Sequence, residues 1–72
     1  MWILTQDQMD LINCDHIWAD NNKILGIRGG GKDYGEFVTL GTYETEERAK
    51  KVLFNIFSVK RKKHFSFIMP EK

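Results

Sequence analysis

The sequence predicts an α+β domain in which one amphipathic helix packs on one face of a small antiparallel β-sheet. Three observations support this fold. A single segment has helical period, several short β-prone runs precede it, and one alternating run follows it. The predicted order is β-β-(β)-β-β-α-β. A chain of 72 residues forms one domain, here residues 1–72.

The helix is predicted over residues 45–61. Thr45 is a good N-cap, because its hydroxyl can accept a hydrogen bond from an amide of the first turn. Glu46 and Glu47 then place negative charge at the positive end of the helix dipole. Phe54 falls outside the apolar stripe and is expected to have a role outside the core. The stripe itself repeats at i, i+3, i+4, i+7 and i+8 and consists of Ala49, Val52, Leu53, Ile56 and Phe57.

Short runs rich in β-branched and aromatic residues predict the strands. The last run alternates, so that Phe65, Phe67 and Met69 share one face. This strand follows the helix and is expected at a sheet edge, with Phe65 and Phe67 packed on the helical stripe. The predicted strands cover residues 2–5, 10–14, 16–19, 23–28, 35–43 and 64–69.

Charge is divided unequally along the chain, although the net charge is only +1. Residues 1–47 carry nine acids and three bases, a net charge of −6, whereas residues 48–72 carry eight bases and one acid, a net charge of +7. Such a division can form a basic binding face or bring the basic end of one copy to the acidic end of another. Compensation within one molecule is the alternative.

Cysteine content and hydropathy restrict the compartment and the chemistry. Cys14 is the only cysteine, so no disulfide can form within the monomer. Cys14, His16 and His64 fall one ligand short of a structural zinc site, and no metal or cofactor is expected. No basic leader and no apolar run of about 18 residues is present, so a cytoplasmic protein that does not contact membranes is expected.

The whole chain resembles a family of very small, mostly uncharacterised proteins encoded by phages and prophages of Gram-positive bacteria. The residues that carry the resemblance are MWILTQDQMDLIN, LGTYETEERAKKVL and FSFIMPEK. The matching motifs lie at residues 2–7, 11–13, 40–49 and 67–70. They are turn, cap and strand motifs and specify no chemistry. The resemblance implies an accessory role, with countering host defence as the expected purpose and the host bacterial cytoplasm as the expected location.

Two basic stretches are candidates for binding an anion. The glycine amides of GGGKD could form an anion-binding nest, although the run lacks the Ser or Thr that a P-loop requires after Lys. The run KRKKH could contact phosphates, and Trp18 could stack on a base. A plain hairpin turn and a solvated helix end are the alternatives. The predicted nucleotide-binding residues are Arg28, Gly29, Gly30, Gly31, Lys32, Lys60, Arg61, Lys63 and Trp18.

Three functions follow from these observations, and none is enzymatic, because no catalytic constellation is recognisable. The first is a homo-oligomer that sequesters a nucleotide second messenger of host immunity. The second is an inhibitor or adaptor that docks on a host defence protein through Phe54, the exposed sheet face or the last strand. The third is weak nucleic-acid binding through residues 60–63. The predicted oligomer contacts are Phe54, Phe65, Phe67 and Trp2.

Overall fold

The computed structural model describes residues 1–29 and 37–72. Its described part contains one helix and five strands. In chain order they are β1 (Trp2–Leu4), β2 (Leu11–Asp20), β3 (Lys23–Arg28), β4 (Phe37–Thr42), α1 (Glu46–Arg61) and β5 (Ser66–Ile68). This arrangement confirms the predicted α+β class with one helix on a sheet.

The strands form one sheet in the order β4-β3-β2-β1-β5. The first three pairings are antiparallel, whereas β5 runs parallel to β1, with Ile3 opposite Phe67. The last strand lies at an edge as predicted, but the sheet is mixed and not wholly antiparallel. A tight turn enforces antiparallel pairing, whereas a helical crossover leaves strand direction open. The 16 residues of α1, about 24 Å long, carry the chain from one edge to the other.

Strand β2 is a single long strand where the sequence predicts two short ones. Asp15 is an extra residue, because the β2–β3 register shifts between Cys14 and His16. This bulge lets the strand continue past the polar residues that suggested a break. The turn into β3 has Asn21 at φ 52°, the left-handed geometry that asparagine tolerates.

The core lies between α1 and the facing side of the sheet. Ala49, Val52 and Ile56 supply the helix contribution, and Leu53 is half-buried against it. The prediction that Phe57 belongs to the buried stripe is wrong, because its side chain is 55% exposed. The sheet contributes Ile3, Ile12, Cys14, Ile24 and Leu40, and the buried cluster also includes Tyr43 and Met69, which directly follow β4 and β5.

The helix begins as predicted. The backbone N–H of Arg48 donates to the Thr45 hydroxyl at 3.0 Å, which satisfies one donor of the first turn. The helix ends where Lys63 adopts φ 65°. In the described part of the chain, no helix has both the length and the apolar character needed to cross a membrane.

The sheet curls so that the segment after β1 reaches β4. The Gln6 backbone N–H donates to the Leu40 carbonyl at 2.9 Å. The Gln6 side chain then pairs with Thr42, accepting from its N–H at 2.8 Å and donating to its carbonyl at 2.9 Å. One residue therefore acts as a short sixth strand and covers the outer edge of β4.

Candidate interaction surface

The glycine-rich stretch offers fewer anion contacts than the sequence predicts. Gly30, Gly31 and Lys32 lie outside the described residues. The Gly29 N–H donates to the Asn13 carbonyl at 2.7 Å, so this amide already belongs to the β2–β3 pairing. Arg28 lies 3.8 Å from the Asp10 carboxylate, which offsets part of its positive charge.

The basic end of α1 borders a groove of about 350 Å³ between the helix and β2. Lys60 lines this groove, whereas Arg61 and Lys63 are exposed beyond it. Asp15 also lines the groove, and a carboxylate beside the ammonium groups opposes the binding of an anion. The walls are completed by Met1, Cys14, His16, Ile17, Leu53, Ile56 and Phe57.

Trp18 lies in an aromatic row beside the groove rather than in it. Its ring is 5.2 Å from His16 and meets Phe37 edge-on at 5.9 Å between centroids. Trp18 is half-buried, so these neighbours cover much of its surface. An edge-to-face contact of this kind stabilises the packing of the rings. The predicted stacking residue and the predicted basic residues therefore share only the His16 border of the groove.

Cys14 lies two residues before His16 in the sequence. Its side chain is buried, and burial raises the pKa of the thiol. A raised pKa keeps the sulfur protonated at neutral pH, and the thiol is then a poor nucleophile. Among the described residues, no cluster of three or more His, Cys, Asp or Glu side chains is arranged to hold a metal ion.

The most distinctive surface is on the face of the sheet that points away from α1. The sequence predicts only that an exposed sheet face could bind a partner. Ile3, Ile12 and Phe67 are in register and face the core, so their neighbours point away from α1. These neighbours form an apolar row across three strands, in which Leu4 lies between Leu11 and Ile68. We call the side chains of Trp2, Leu4, Leu11 and Ile68 the outer patch.

The outer patch is exposed although it is apolar. Leu11 is 58% exposed, Ile68 is 67% exposed and Trp2 is 46% exposed. Trp2 lies one row along from Leu4, between Asn13 and Ser66. Large exposed apolar groups that lie side by side are typical of interaction surfaces, whereas single ones are ordinary.

The predicted oligomer contacts are distributed over four places. Trp2 belongs to the outer patch, and Phe54 lies on the exposed side of α1, 6.1 Å from Phe57 between ring centroids. Phe67 is half-buried against the core. Phe65 was expected to pack on the helical stripe, and that expectation is wrong, because its side chain is 75% exposed. Phe65 precedes β5 instead of lying within it, beyond the end of the helix-covered surface.

The sequence contains a weak signal for the outer patch. Leu4 and Leu11 flank the polar loop of the first hairpin, and hairpin geometry makes such residues direct partners. Ile68 occupies the polar-side position of an alternating strand, where an apolar residue is unexpected. Their meeting depends on β5 joining β1, which only the structure shows.

Comparisons with protein-family models, with curated proteins and with solved structures found no significant match. The resemblance to phage-encoded proteins therefore stays a prediction.

Proposed function

We propose that this chain is a non-catalytic binding module that docks on a folded protein through the outer patch. The observation that supports the proposal is the row of Leu11, Leu4 and Ile68, in which Leu11 and Ile68 are exposed and Leu4 is half-buried, with the exposed Trp2 beside it. Aliphatic and aromatic side chains of this kind supply the desolvated centre of protein interfaces. The neutral side chains of Asn13 and Ser66 border Trp2, as the rim of such an interface requires.

A protein partner suits the patch better than an anion does. No ionic side chain interrupts the row, so burying it leaves no charge without a partner. Charges lie beyond the two ends of the strands, on either side of this row, with the acidic loop that contains Asp7 and Asp10 after β1 and the basic residues Lys62 and Lys63 before β5. A partner with an apolar centre and opposite charges on its two sides would match this distribution. In view of the family resemblance, a bacterial defence protein is the first class to test.

The test compares the wild-type chain with a Leu11→Gln/Ile68→Gln double variant and a matched Phe54→Gln control. All three changes replace an exposed apolar residue, but only the double variant alters the outer patch. Cross-linking in host cells, read by quantitative mass spectrometry, should recover a partner with the wild-type chain and the control. The double variant should reduce that recovery at least about tenfold. Its direct binding to the purified partner should fall in parallel.

Two results would contradict this function. Equal recovery of the partner by the outer-patch variant would show that another surface binds. Loss of the partner with Phe54→Gln alone would assign binding to the helix. Thermal unfolding of each variant checks that the fold is retained.

A nucleotide-type ligand in the groove is the second candidate, favoured by Lys60 and His16 on its walls. The aromatic side chain of Trp18 is 5.2 Å from His16, so a base could extend toward it. A thermal-shift series with cyclic and linear nucleotides tests this candidate. Stabilisation that Lys60→Ala abolishes and Lys51→Ala retains would support it, whereas no shift with any nucleotide would remove it.

A further inference from the structure

The two edges of the sheet differ in what covers them. At β4, Gln6 occupies backbone groups of Leu40 and Thr42. At β5, pairing within the described residues is to β1 alone. The Trp2 N–H donates to the Phe65 carbonyl and the Met69 N–H donates to the Leu4 carbonyl. Because backbone groups alternate along a strand, those of Ser66 and Ile68 point away from β1.

We infer that the open edge of β5 binds the β5 edge of a second copy in antiparallel orientation. A two-fold axis through Phe67 places Ser66 of each chain opposite Ile68 of the other. Each such pair exchanges two backbone hydrogen bonds, so the contact contains four. A symmetric contact between identical surfaces is the commonest form of protein dimer. The inference adds to the proposed function and does not depend on it.

Charge selects a second copy as the occupant. The same orientation brings Lys63, which precedes β5 in one chain, toward the end of the other chain that contains Glu71, which follows β5. Asp7 lies in the loop at the Glu71 end of the strand, where the Gln6 side chain donates to the Glu71 carbonyl at 2.8 Å. Lys62 and Lys63 lie at the opposite end, whereas the Glu71 end also holds Lys72 and Arg48, whose guanidinium donates to the Lys72 carbonyl at 2.7 Å. Antiparallel pairing therefore places the strongly basic end of each copy beside the mixed-charge end of the other, whereas parallel pairing would bring the two basic ends together.

The pairing also extends the outer patch. Residues opposite each other in a sheet point to the same side, so Ile68 of one chain lies beside Ser66 of the other, with Trp2 of that other chain as the next neighbour. The row of Leu11, Leu4 and Ile68 then continues onto the second copy. A dimer would present two joined patches on one side of a ten-stranded sheet. It would suit a partner that is itself two-fold symmetric.

Sedimentation equilibrium over a concentration series tests the edge. The wild-type chain should dimerise. Ser66→Pro removes an N–H that points away from β1, and should weaken the dimer at least about tenfold. The Ser66→Ala control keeps that N–H and should change the dissociation constant less than about threefold. Circular dichroism and thermal unfolding establish that each variant folds.

A charge exchange supplies a second test that does not depend on proline. Lys63→Glu and Glu71→Lys should each weaken the dimer at low salt, by about twofold to fivefold. The double variant, which restores opposite charges across the contact, should recover wild-type affinity. A failure to recover would overturn the antiparallel orientation.

Other outcomes separate this inference from the proposed function. A wild-type chain that is monomeric at every concentration overturns the edge contact and leaves target binding through the outer patch untouched. A dimer that survives Ser66→Pro but is lost with Leu11→Gln also overturns it, because it shows two outer patches packed face to face. That same result would contradict the proposed function, since the second copy would then cover the patch.

Discussion

The two edges of this sheet differ in whether another part of the chain covers them. The edge of β4 is covered by Gln6, which uses its backbone and its side chain to meet Leu40 and Thr42. The edge of β5 pairs, among the described residues, with β1 on one side only. An uncovered edge is a template for another strand, and monomeric proteins usually block it. The molecule therefore covers one edge and leaves the three residues of β5 uncovered at the other, which is the basis for expecting assembly at β5.

The largest predicted effect is on the free energy of unfolding, because the side chains of the two edge strands differ in burial. Leu40 of β4 is 1% exposed and Ile68 of β5 is 67% exposed. Leu40→Ala should lower the free energy of unfolding by about 2–5 kcal/mol, because it removes buried methyl groups and leaves a cavity. Ile68→Thr keeps a β-branched side chain and should change it by less than about 0.5 kcal/mol. Urea unfolding at concentrations where the chain is monomeric measures both.

An equal loss from the two substitutions would show that β5 is as deeply packed as β4. A small loss from Leu40→Ala would show that the covered edge contributes little to the core.

The next effect concerns the cover itself. Gln6→Ala removes the three side-chain hydrogen bonds to Thr42 and Glu71 and should cost about 1–2 kcal/mol. Gln6→Glu retains an acceptor for the Thr42 N–H but places a carboxylate oxygen against the Thr42 and Glu71 carbonyls, so its cost should be at least as large as that of Gln6→Ala. Hydrogen exchange at the Thr42 amide should accelerate in both variants. Unchanged exchange in both variants would mean that Gln6 does not cover the edge.

The helix and the edge position of the last strand could be predicted from the sequence, whereas the cover of the β4 edge and the direction of β5 could not. The Thr45 cap and the helical period of Ala49, Val52 and Ile56 are local signals, and both are confirmed. Phe57 has the same period but borders the open groove between α1 and β2, so its exposure depends on tertiary structure. The helical repeat of apolar residues predicts which side chains share a face of the helix. It does not predict how far the sheet that packs on this face extends.

Gln6 and Ile68 pair with residues that are far away in the sequence. Gln6 meets a strand 34 to 36 residues away, and no local pattern marks a glutamine as a strand substitute. The direction of β5 depends on how α1 crosses the sheet, which also decides that Ile68 joins Leu4. The sequence therefore predicts that an exposed sheet face or last strand can bind, but not which four side chains form the outer patch.

A smaller effect tests the loop that carries Gln6 to β4. The Asp7 carboxylate accepts hydrogen bonds from the Thr5 hydroxyl at 2.6 Å and from the Met9 N–H at 3.0 Å. The Thr5 hydrogen bond is the main cause, and the Met9 N–H the second, of an Asp7 pKa below its usual value of 3.8. A lowered carboxyl pKa stabilises the folded state above the ordinary pKa, and this stabilisation is lost as pH falls through the folded-state value.

Asp7→Asn should therefore destabilise the chain slightly at neutral pH, and the difference from wild type should disappear as the pH falls below 3.8. Urea unfolding as a function of pH measures this, with the exposed carboxylate variant Glu44→Gln as the control. A difference that persists at acid pH would assign the effect to packing of the loop instead of to the charged hydrogen bonds.

The smallest predicted effect concerns the ion pair between Arg28 and Asp10, which could help to hold the β1–β2 loop in place. Arg28 is 3.8 Å from Asp10, and both side chains are more than half exposed. Solvent and salt screen such a pair, so Arg28→Gln should change the free energy of unfolding by less than about 0.5 kcal/mol. Added salt should leave that small difference almost unchanged. A much larger loss would mean that the ion pair, and not the backbone-like contact of Gln6, holds the β1–β2 loop in place. With a negligible loss, the contrast between the two edges depends on hydrogen bonding and burial alone, and charge is left to act where the β5 edges of two copies meet.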